Sequence, residues 1–262
     1  MPTVAHHAPG SFSWFELATT DQDAAKHFYT SLFGWTFYDS PMGPNDFYTT
    51  FQLDGQKVGA TYTLQQDQLA IGVPPHWNLY IAVESADAAV ARALELDGKV
   101  LGGPFDVSTH GRMAFIADPT GAAFSVWQAG DHPGVSLVGE PGAVCWADLS
   151  TPDQATAAAF YRDLFGYTLP PGEGGYLHIR NGEAFIGGML AAAQRDPNAP
   201  PHWLVYIQVE DSAVSTAKAK ELGASIFAGP VEIPNAGTLT VLADPQGAVF
   251  ALFQPARSGE TA

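Results

Sequence analysis

The sequence predicts an α+β fold made of two copies of one domain, each copy built from two βαβββ modules. The first reason is the order of hydrophobic patterns, because strand-like alternation and helix-like spacing follow one another in the same order four times. The second reason is an internal repeat, which sets the architecture of a chain. Three motifs of the first copy return in order in the second: FYTSLFGW of 28–35 as FYRDLFGY of 160–167, PPHW of 74–77 at 200–203, and Asp-Pro-x-Gly of 118–121 at 244–247.

The first module extends to residue 64. Alternation predicts a strand over 11–18, and apolar residues at helical spacing predict a helix over 24–33. Thr-x-x-Gln at 19–22 reads as a capping box at the start of this helix, and Gly34 as its end. Turn residues, among them the hairpin signal Asp54-Gly55, then separate three predicted strands: 35–38, 47–53 and 57–64.

The second module repeats this order. A strand over 77–84 and a helix over 86–96, which Gly98 ends, are expected first. Three strands complete the module: 99–102, 112–117 and 122–128.

The second copy begins at Val144, and its capping box is Thr-Pro-Asp-Gln at 151–154. The offset between the copies falls from 132 residues at Phe28 to 126 at His76, so the first copy carries six extra residues. We expect them around 40–46 or 65–73, where turns and polar residues tolerate insertion. The predicted domains are 10–130 and 142–256, joined by a linker that contains glycine and proline.

Charge and cysteine content narrow the classes of partner. The 262 residues contain 11 Lys and Arg against 27 Asp and Glu, a formal net charge of −16. Such a surface repels nucleic acid and anionic membranes, which leaves a small molecule as the expected partner. The single cysteine, Cys145, cannot form an internal disulfide, and no long apolar run is present. We therefore expect a soluble cytoplasmic protein, either a monomer or a homodimer.

The motifs carry a family resemblance. Phe-Tyr near the end of the first helix, Leu-Phe-Gly and an aromatic residue after it, and Asp-Pro-x-Gly before the last strand occur in this order twice. Together they resemble the vicinal oxygen chelate superfamily, which includes glyoxalase I, extradiol dioxygenases, and fosfomycin and bleomycin resistance proteins. The resemblance covers residues 10–255, and the tandem form is similar to two-domain glyoxalase-like proteins of actinobacteria. It implies mixed sheets that curl into cups, with the helices outside.

In this superfamily the concave face of a cup holds a divalent metal, and the resemblance implies where its ligands would lie. Such ions take imidazole or carboxylate donors, and an indole N–H cannot coordinate. None of the eight implied positions offers imidazole or carboxylate: Trp14, Gly59, Asn78 and Ser125 in the first copy, and Trp146, Gly187, Leu204 and Ala251 in the second. The sequence therefore predicts a relative that needs no metal or other cofactor.

Strand alternation suggests what the cups contain instead, if each cup combines strands of both copies as in fused-dimer members. One predicted cup holds Trp14, Glu16, His202, Tyr206 and Phe253, and the other holds Trp146, Asp148, His76, Asn78, Tyr80, Ser125 and Trp127. A histidine facing an acid would form a general base with its orienting carboxylate. The predicted catalytic pairs are His202 with Glu16 and His76 with Asp148. Arg112 and Arg180 are the strand-borne candidates to pair with the acids.

Each of these residues also has a structural interpretation. The tryptophans can be core residues, and the acids can be bonded to a Tyr, a Trp or the backbone. A histidine in Pro-Pro-His-Trp can bind a backbone carbonyl.

Three functions follow from these interpretations. The first is a small-molecule protein of the glyoxalase and bleomycin-resistance type, which binds a partly aromatic or carbonyl compound or acts on it by acid–base chemistry. The second is a metal-dependent lyase or dioxygenase whose donors are Glu16, Asp148, His76 and His202. The third is a partner-binding protein with filled cups.

Overall fold

The computed structural model describes residues 3–44 and 46–256. The predicted order of four modules is confirmed. The first copy contains β1 (Phe12–Thr19), α1 (Gln22–Phe33), β2 (Thr36–Gly43), β3 (Asp46–Leu53), β4 (Gln56–Thr63), α2 (Gln66–Ala70), β5 (His76–Ala82), α3 (Ala86–Glu95), β6 (Lys99–Val107), β7 (Gly111–Ala117) and β8 (Ala123–Ala129).

The second copy repeats this order with a shorter third module. Between its first helix and its next strand, the chain makes only the isolated bridges Thr168–Arg180 and Pro171–Leu177, in place of a full strand like β2. Part of the extra length of the first copy therefore lies in the β2–β3 hairpin. The elements are β9 (Val144–Ser150), α4 (Gln154–Phe165), β10 (Leu177–Asn181), β11 (Ala184–Met189), β12 (His202–Gln208), α5 (Ser212–Glu221), β13 (Ser225–Ile233), β14 (Gly237–Ala243) and β15 (Val249–Pro255).

Aspartates, and not the predicted capping boxes, begin the first helix of each copy. Asp21 accepts a hydrogen bond from the backbone N–H of Ala24 at 3.0 Å, and Asp153 caps α4 in the same way. The Gln22 side chain, expected to complete a box, instead donates to Thr49 and to the backbone of β4. Gly34 ends α1 in the left-handed conformation at φ 73°, as glycine readily does. None of the helices in the described part of the chain is long and apolar enough to cross a membrane.

Each copy forms its own open sheet. The strand orders are β2-β3-β4-β1-β5-β8-β7-β6 and β10-β11-β9-β12-β15-β14-β13. At the centre of the first sheet, β1 and β5 run antiparallel with Glu16 opposite Asn78. In the second sheet, β9 and β12 place Asp148 opposite Leu204. The prediction that each cup combines strands of both copies is therefore wrong.

The core lies between the two sheets and the four longer helices. Phe15, Trp77 and Leu79 point to this side, since strand neighbours alternate, and they join one hydrophobic cluster that also takes in residues of the second copy. Across the boundary between the copies, the ring of Phe12 packs edge-on against Trp203, with the ring centroids 5.6 Å apart. The two copies therefore share a continuous core.

A chain of buried hydrogen bonds, the Trp–Tyr–Asp relay, also joins the copies. The indole of Trp77 donates to the hydroxyl of Tyr29, which donates to Asp244 of the other copy, both at 3.0 Å. In the corresponding relay of the second copy, the indole of Trp203 donates to the hydroxyl of Tyr161 at 3.0 Å. Burial and the negative charge of nearby Asp118 both raise the pKa of Tyr161. The Phe-Tyr, Pro-Pro-His-Trp and Asp-Pro-x-Gly motifs of the repeat thus meet at these two points.

Candidate functional site

The face of the first sheet that turns away from the core carries a buried carboxylate. Glu16 is only 6% exposed, and side chains of this sheet that contact the longer helices, such as Trp77 and Arg112, lie on the opposite face. The hydroxyl of Tyr80 donates to Glu16 Oε2 at 2.7 Å, and the indole of Trp14 donates to the hydroxyl of Tyr48 at 2.8 Å. Burial raises the pKa of Glu16, against the opposing effect of hydrogen bonds from Tyr80 and Tyr48.

The same face of the second sheet buries Asp148, which is 4% exposed. Its Oδ1 accepts hydrogen bonds from the hydroxyl of Tyr176 at 2.6 Å and the indole of Trp146 at 2.9 Å. Its Oδ2 accepts one from the hydroxyl of Tyr206 at 2.7 Å. Burial raises the pKa of Asp148, while these three bonds act to lower it.

Both faces therefore hold one arrangement: a tryptophan, an acid two residues later, and two tyrosines. We call the two faces the N-terminal cup and the C-terminal cup. The tryptophans, the acids and the tyrosines of β5 and β12 were predicted from the sequence. Tyr48 and Tyr176 were not, because the hairpins differ in length, although aligning the copies at β4 and β11 places these two residues at equivalent positions.

The two cups differ in polarity. In the N-terminal cup, Asn78 donates to the hydroxyl of Ser125 at 2.8 Å beside Glu16. Leu204 and Ala251 take the equivalent positions in the C-terminal cup and form a small apolar cluster with Tyr206. Aromatic rings line both, with Trp127 edge-on to Tyr80 and Phe253 edge-on to Tyr206.

The rim of the N-terminal cup is partly accessible. Tyr48, Tyr62 and Phe115 are half-buried there. The short helix α2 lies at this rim, where Gln68 donates to the hydroxyl of Tyr62 at 3.3 Å. Burial, with the charge of Glu16, raises the pKa of Tyr62 to about 12, so this hydroxyl stays protonated at neutral pH. Tyr62 was not predicted to lie in a cup. Ala60 lies opposite Glu16, and because side chains alternate along a strand, Tyr62 two residues later shares the same face.

The predicted histidine–acid pairs do not form. His76 and His202 lie at the first residues of β5 and β12, and each ring Nδ1 is 2.8 Å from a proline carbonyl oxygen two residues earlier. His202 lies in the second sheet and Glu16 in the first, and His76 and Asp148 are separated in the same way. The structural interpretation of these histidines therefore fits, because the imidazole completes the turn before the strand.

Arg112 does not pair with a buried acid either. It forms ion pairs with the exposed carboxylates of Asp87 and Asp106, at 2.7 and 2.9 Å. Its strand neighbour across β8 is Gln128, which accepts a hydrogen bond from the first residue of α3. Arg112 thus lies on the helix side of the sheet, and Arg180 pairs with exposed Glu183.

Two other histidines contact the cup tryptophans. The ring of His132, from the linker between the copies, lies edge-on to Trp14 with the centroids 4.4 Å apart. Burial lowers the pKa of His132 to about 4, which leaves it neutral at neutral pH. In the C-terminal cup, His178 of β10 lies edge-on to Trp146, with the centroids 6.4 Å apart. Neither was predicted, since a linker position and an isolated strand histidine give no sequence signal.

Glycine makes room for one of the tyrosines. A Cβ atom on Gly188, which lies opposite Asp148 in the sheet, would overlap the hydroxyl of Tyr176. Gly59, expected beside the metal position of the first copy, instead faces the core, where a Cβ would meet Phe15 and Trp77. The residue that shares the cup face with Glu16 is Ala60, so the predicted register was off by one residue.

We expect Gly188→Ala to push Tyr176 off Asp148 and to lower the free energy of unfolding by about 1–3 kcal/mol, because the added methyl group removes a hydrogen bond to a buried carboxylate. Urea unfolding measures the change. Gly43→Ala is the matched control, since the nearest atom to its added Cβ lies at 4.0 Å. An equal response of both variants would show that the space beside Tyr176 is not needed.

The family's divalent metal does not fit the residues of either cup. Among the described residues, each cup presents one carboxylate and one histidine, His132 or His178, which is fewer than the three protein donors that a divalent metal usually takes. The tyrosine hydroxyls around both carboxylates, and the indole on Asp148, remain protonated and act as donors. The alternative donor set of Glu16, Asp148, His76 and His202 is divided between two sheets. Across residues 3–44 and 46–256, no group of three His, Cys, Asp or Glu side chains is placed to hold a metal ion.

Sequence comparison agrees with this architecture. The profile of the Glyoxalase/Bleomycin resistance protein/Dioxygenase superfamily matches residues 11–126, and that of the Glyoxalase-like domain matches residues 144–253. The CFP32 protein of Mycobacterium tuberculosis, whose name proposes a glyoxylase, is 40% identical over 98% of this chain and 99% of its own. The anthracycline biosynthesis protein DauV of Streptomyces sp. strain C5 is 37% identical over 96% of this chain and 95% of its own.

Solved structures share the fold at low sequence identity. The Mn(II)-bound glyoxalase of Novosphingobium aromaticivorans superposes with a TM-score of 0.66 at 18% identity, covering 94% of this chain and 82% of that one. The 2,3-dioxygenase LapB of Pseudomonas sp. KL28 gives 0.66 at 10% identity, covering 97% and 94%. The two profile matches and the relatives of similar length together show that the chain belongs to the Glyoxalase/Bleomycin resistance protein/Dioxygenase superfamily.

Proposed function

We propose that the N-terminal cup binds a small aromatic molecule and does so without a metal ion. The observation that most directly supports this proposal is the buried carboxylate of Glu16, which lies among aromatic side chains on a sheet face that the longer helices leave uncovered. Small-molecule sites are mostly apolar, with a few polar groups that orient the ligand. Here Trp14 and Trp127 provide ring surfaces, and Glu16, Asn78 and Ser125 provide the polar groups.

The N-terminal cup is the better candidate of the two. Asp148 already accepts three hydrogen bonds, and apolar side chains occupy the floor of its cup. Glu16 accepts a direct hydrogen bond from Tyr80, with the hydroxyl of Tyr48 also acting on it, and lies beside the polar pair of Asn78 and Ser125. A ligand therefore meets more polar groups, and a carboxylate with fewer internal donors, beside Glu16 than beside Asp148.

Relatives and chemistry support the class of ligand. Two relatives are named for anthracycline biosynthesis, and anthracyclines are flat polycyclic aromatic compounds with carbonyl groups. The manganese of the glyoxalase neighbour has no matching donor set within residues 3–44 and 46–256 of this protein, so we assign binding and any proton transfer to the side chains of the cup. Glu16 is the group placed to accept a proton, because its raised pKa brings it closer to neutral pH.

Quenching of tryptophan fluorescence by a panel of aromatic ketones and quinones tests this proposal. We expect the quenching to be saturable and to persist in the presence of EDTA. Trp14→Phe should weaken the quenching, because Trp14 lies in the N-terminal cup. Trp146→Phe is the matched control in the other cup and should leave the affinity unchanged. An absence of saturable quenching across the panel would favour filled cups, and loss of quenching with EDTA would contradict metal-free binding.

A further inference from the structure

Glu16 has no positive partner among the residues that the structure describes. The groups that act on its pKa besides burial are the hydroxyls of Tyr80 and Tyr48. No Lys, Arg or His within the described ranges forms an ion pair or a hydrogen bond with it. A carboxylate this deeply buried is costly unless a positive charge or several donors compensate it. The ionised form of Glu16 is therefore only partly compensated.

In the other cup, the negative charge of Asp148 is compensated by more hydrogen-bond donors. Three donors within 2.9 Å surround it, and nearby His178 also favours its charged form. The two cups thus differ in one electrostatic property: three donors and a nearby histidine favour the charged form of the C-terminal carboxylate, whereas two tyrosine hydroxyls favour that of the N-terminal carboxylate.

The surroundings of Glu16 suit a cation. The hydroxyls of Tyr80 and Tyr48 act on the carboxylate, and the charge of Glu16 also raises the pKa of Tyr62, so the acid lies among aromatic side chains. The net charge of −16 also raises the local concentration of cations and repels anions. An ammonium group placed at Glu16 would form a charge-assisted hydrogen bond to the carboxylate.

We propose that the N-terminal cup selects aromatic ligands that carry an ammonium group, with the ammonium bound at Glu16 and the ring between the cup's aromatic side chains. This inference rests on the proposed aromatic site and adds the charge of its ligand. Because ammonium binding requires ionised Glu16, the affinity for an amine should rise with pH through the raised pKa of Glu16, as long as the amine stays protonated.

Isothermal titration calorimetry with two isosteric probes tests the inference. 2-(Naphthalen-2-yl)ethylamine is charged at neutral pH, and 2-(naphthalen-2-yl)ethanol is its neutral counterpart. We expect the amine to bind at least about tenfold more tightly to the wild-type chain, as a hydrogen bond to a charged group implies. Glu16→Gln should reduce this preference to less than about twofold, and the matched variant Asp148→Asn should retain it. Circular dichroism confirms that both variants are folded.

The outcomes separate the two proposals. Equal affinity of the wild-type chain for amine and alcohol overturns the selection for ammonium and leaves the aromatic site standing, and this comparison needs no variant. If Asp148→Asn removes the preference for the amine and Glu16→Gln retains it, the assignment to the N-terminal cup is overturned. Binding of neither probe contradicts both the aromatic site and its selectivity.

Discussion

Tyr29→Phe is expected to lower the free energy of unfolding by about 2–4 kcal/mol, because one hydroxyl serves two buried partners. It accepts the hydrogen bond of Trp77 and donates to Asp244 of the other copy. Without this hydroxyl, the indole N–H of Trp77 and a carboxylate oxygen of Asp244 each lose a hydrogen-bond partner in the buried core, where water cannot take its place. Asp244 keeps the backbone N–H groups of Gln246 and Ala248 on its other oxygen, so the turn itself should persist.

Chemical denaturation followed by circular dichroism measures this loss. Tyr161→Phe removes the equivalent hydroxyl of the second copy, which accepts the hydrogen bond of Trp203, and should also lower the free energy of unfolding. Tyr38→Phe is the matched control, because Tyr38 is 41% exposed and its hydroxyl can bond to water. If Tyr29→Phe costs no more than Tyr38→Phe, the relay does not stabilise the joined copies.

Glu16→Gln is expected to weaken binding of an aromatic amine by about tenfold or more while the chain stays folded. The glutamine carbonyl can still accept the hydrogen bond of Tyr80, so the loss concerns charge more than packing. Asp148→Asn should behave differently, because its amide N–H₂ would replace one of the two oxygens that now accept hydrogen bonds from three donors. We expect it to lower the free energy of unfolding by about 1–3 kcal/mol.

The pH dependence of stability gives an independent readout on Glu16. Burial raises its pKa in the folded chain, so the folded state holds a proton that the unfolded state releases at lower pH. The stability that this proton contributes is complete below the ordinary glutamate pKa and is lost as pH rises through the raised value. The free energy of unfolding of wild type relative to Glu16→Gln should therefore fall as pH rises above the ordinary glutamate pKa. A difference that stays constant with pH would contradict a raised pKa.

Local patterns were sufficient to predict the modules. The repeated motifs, the alternation around Trp14 and Glu16, and the glycine that ends each first helix are encoded within a few residues of one another. Backbone geometry converts such short patterns directly into strands, helices and faces. This is why the order of the modules and the burial of the two acids were predicted correctly, although α2 and the missing strand after α4 were not.

The partner of each acid depends on contacts between distant segments. Because the four modules are similar, β1 can in principle pair with β5 or with β12, and no local pattern favours either. The pairing with β5 brings Tyr80 to Glu16 and leaves His202 in the other sheet. Tyr48 and Tyr176 were hidden for a related reason, since unequal hairpins shift them along the chain while the sheets place them equivalently.

From its sequence alone this chain is a tandem of βαβββ modules with an acid beside a tryptophan in each copy and without the usual metal donors. The tertiary structure decided that each cup belongs to one copy and that the repeat motifs join the copies through buried hydrogen bonds. It also decided how many hydrogen-bond donors compensate the charge of each acid. The physical reason is that side-chain direction follows from local backbone geometry, whereas the burial and charge balance of a carboxylate depend on every segment folded around it.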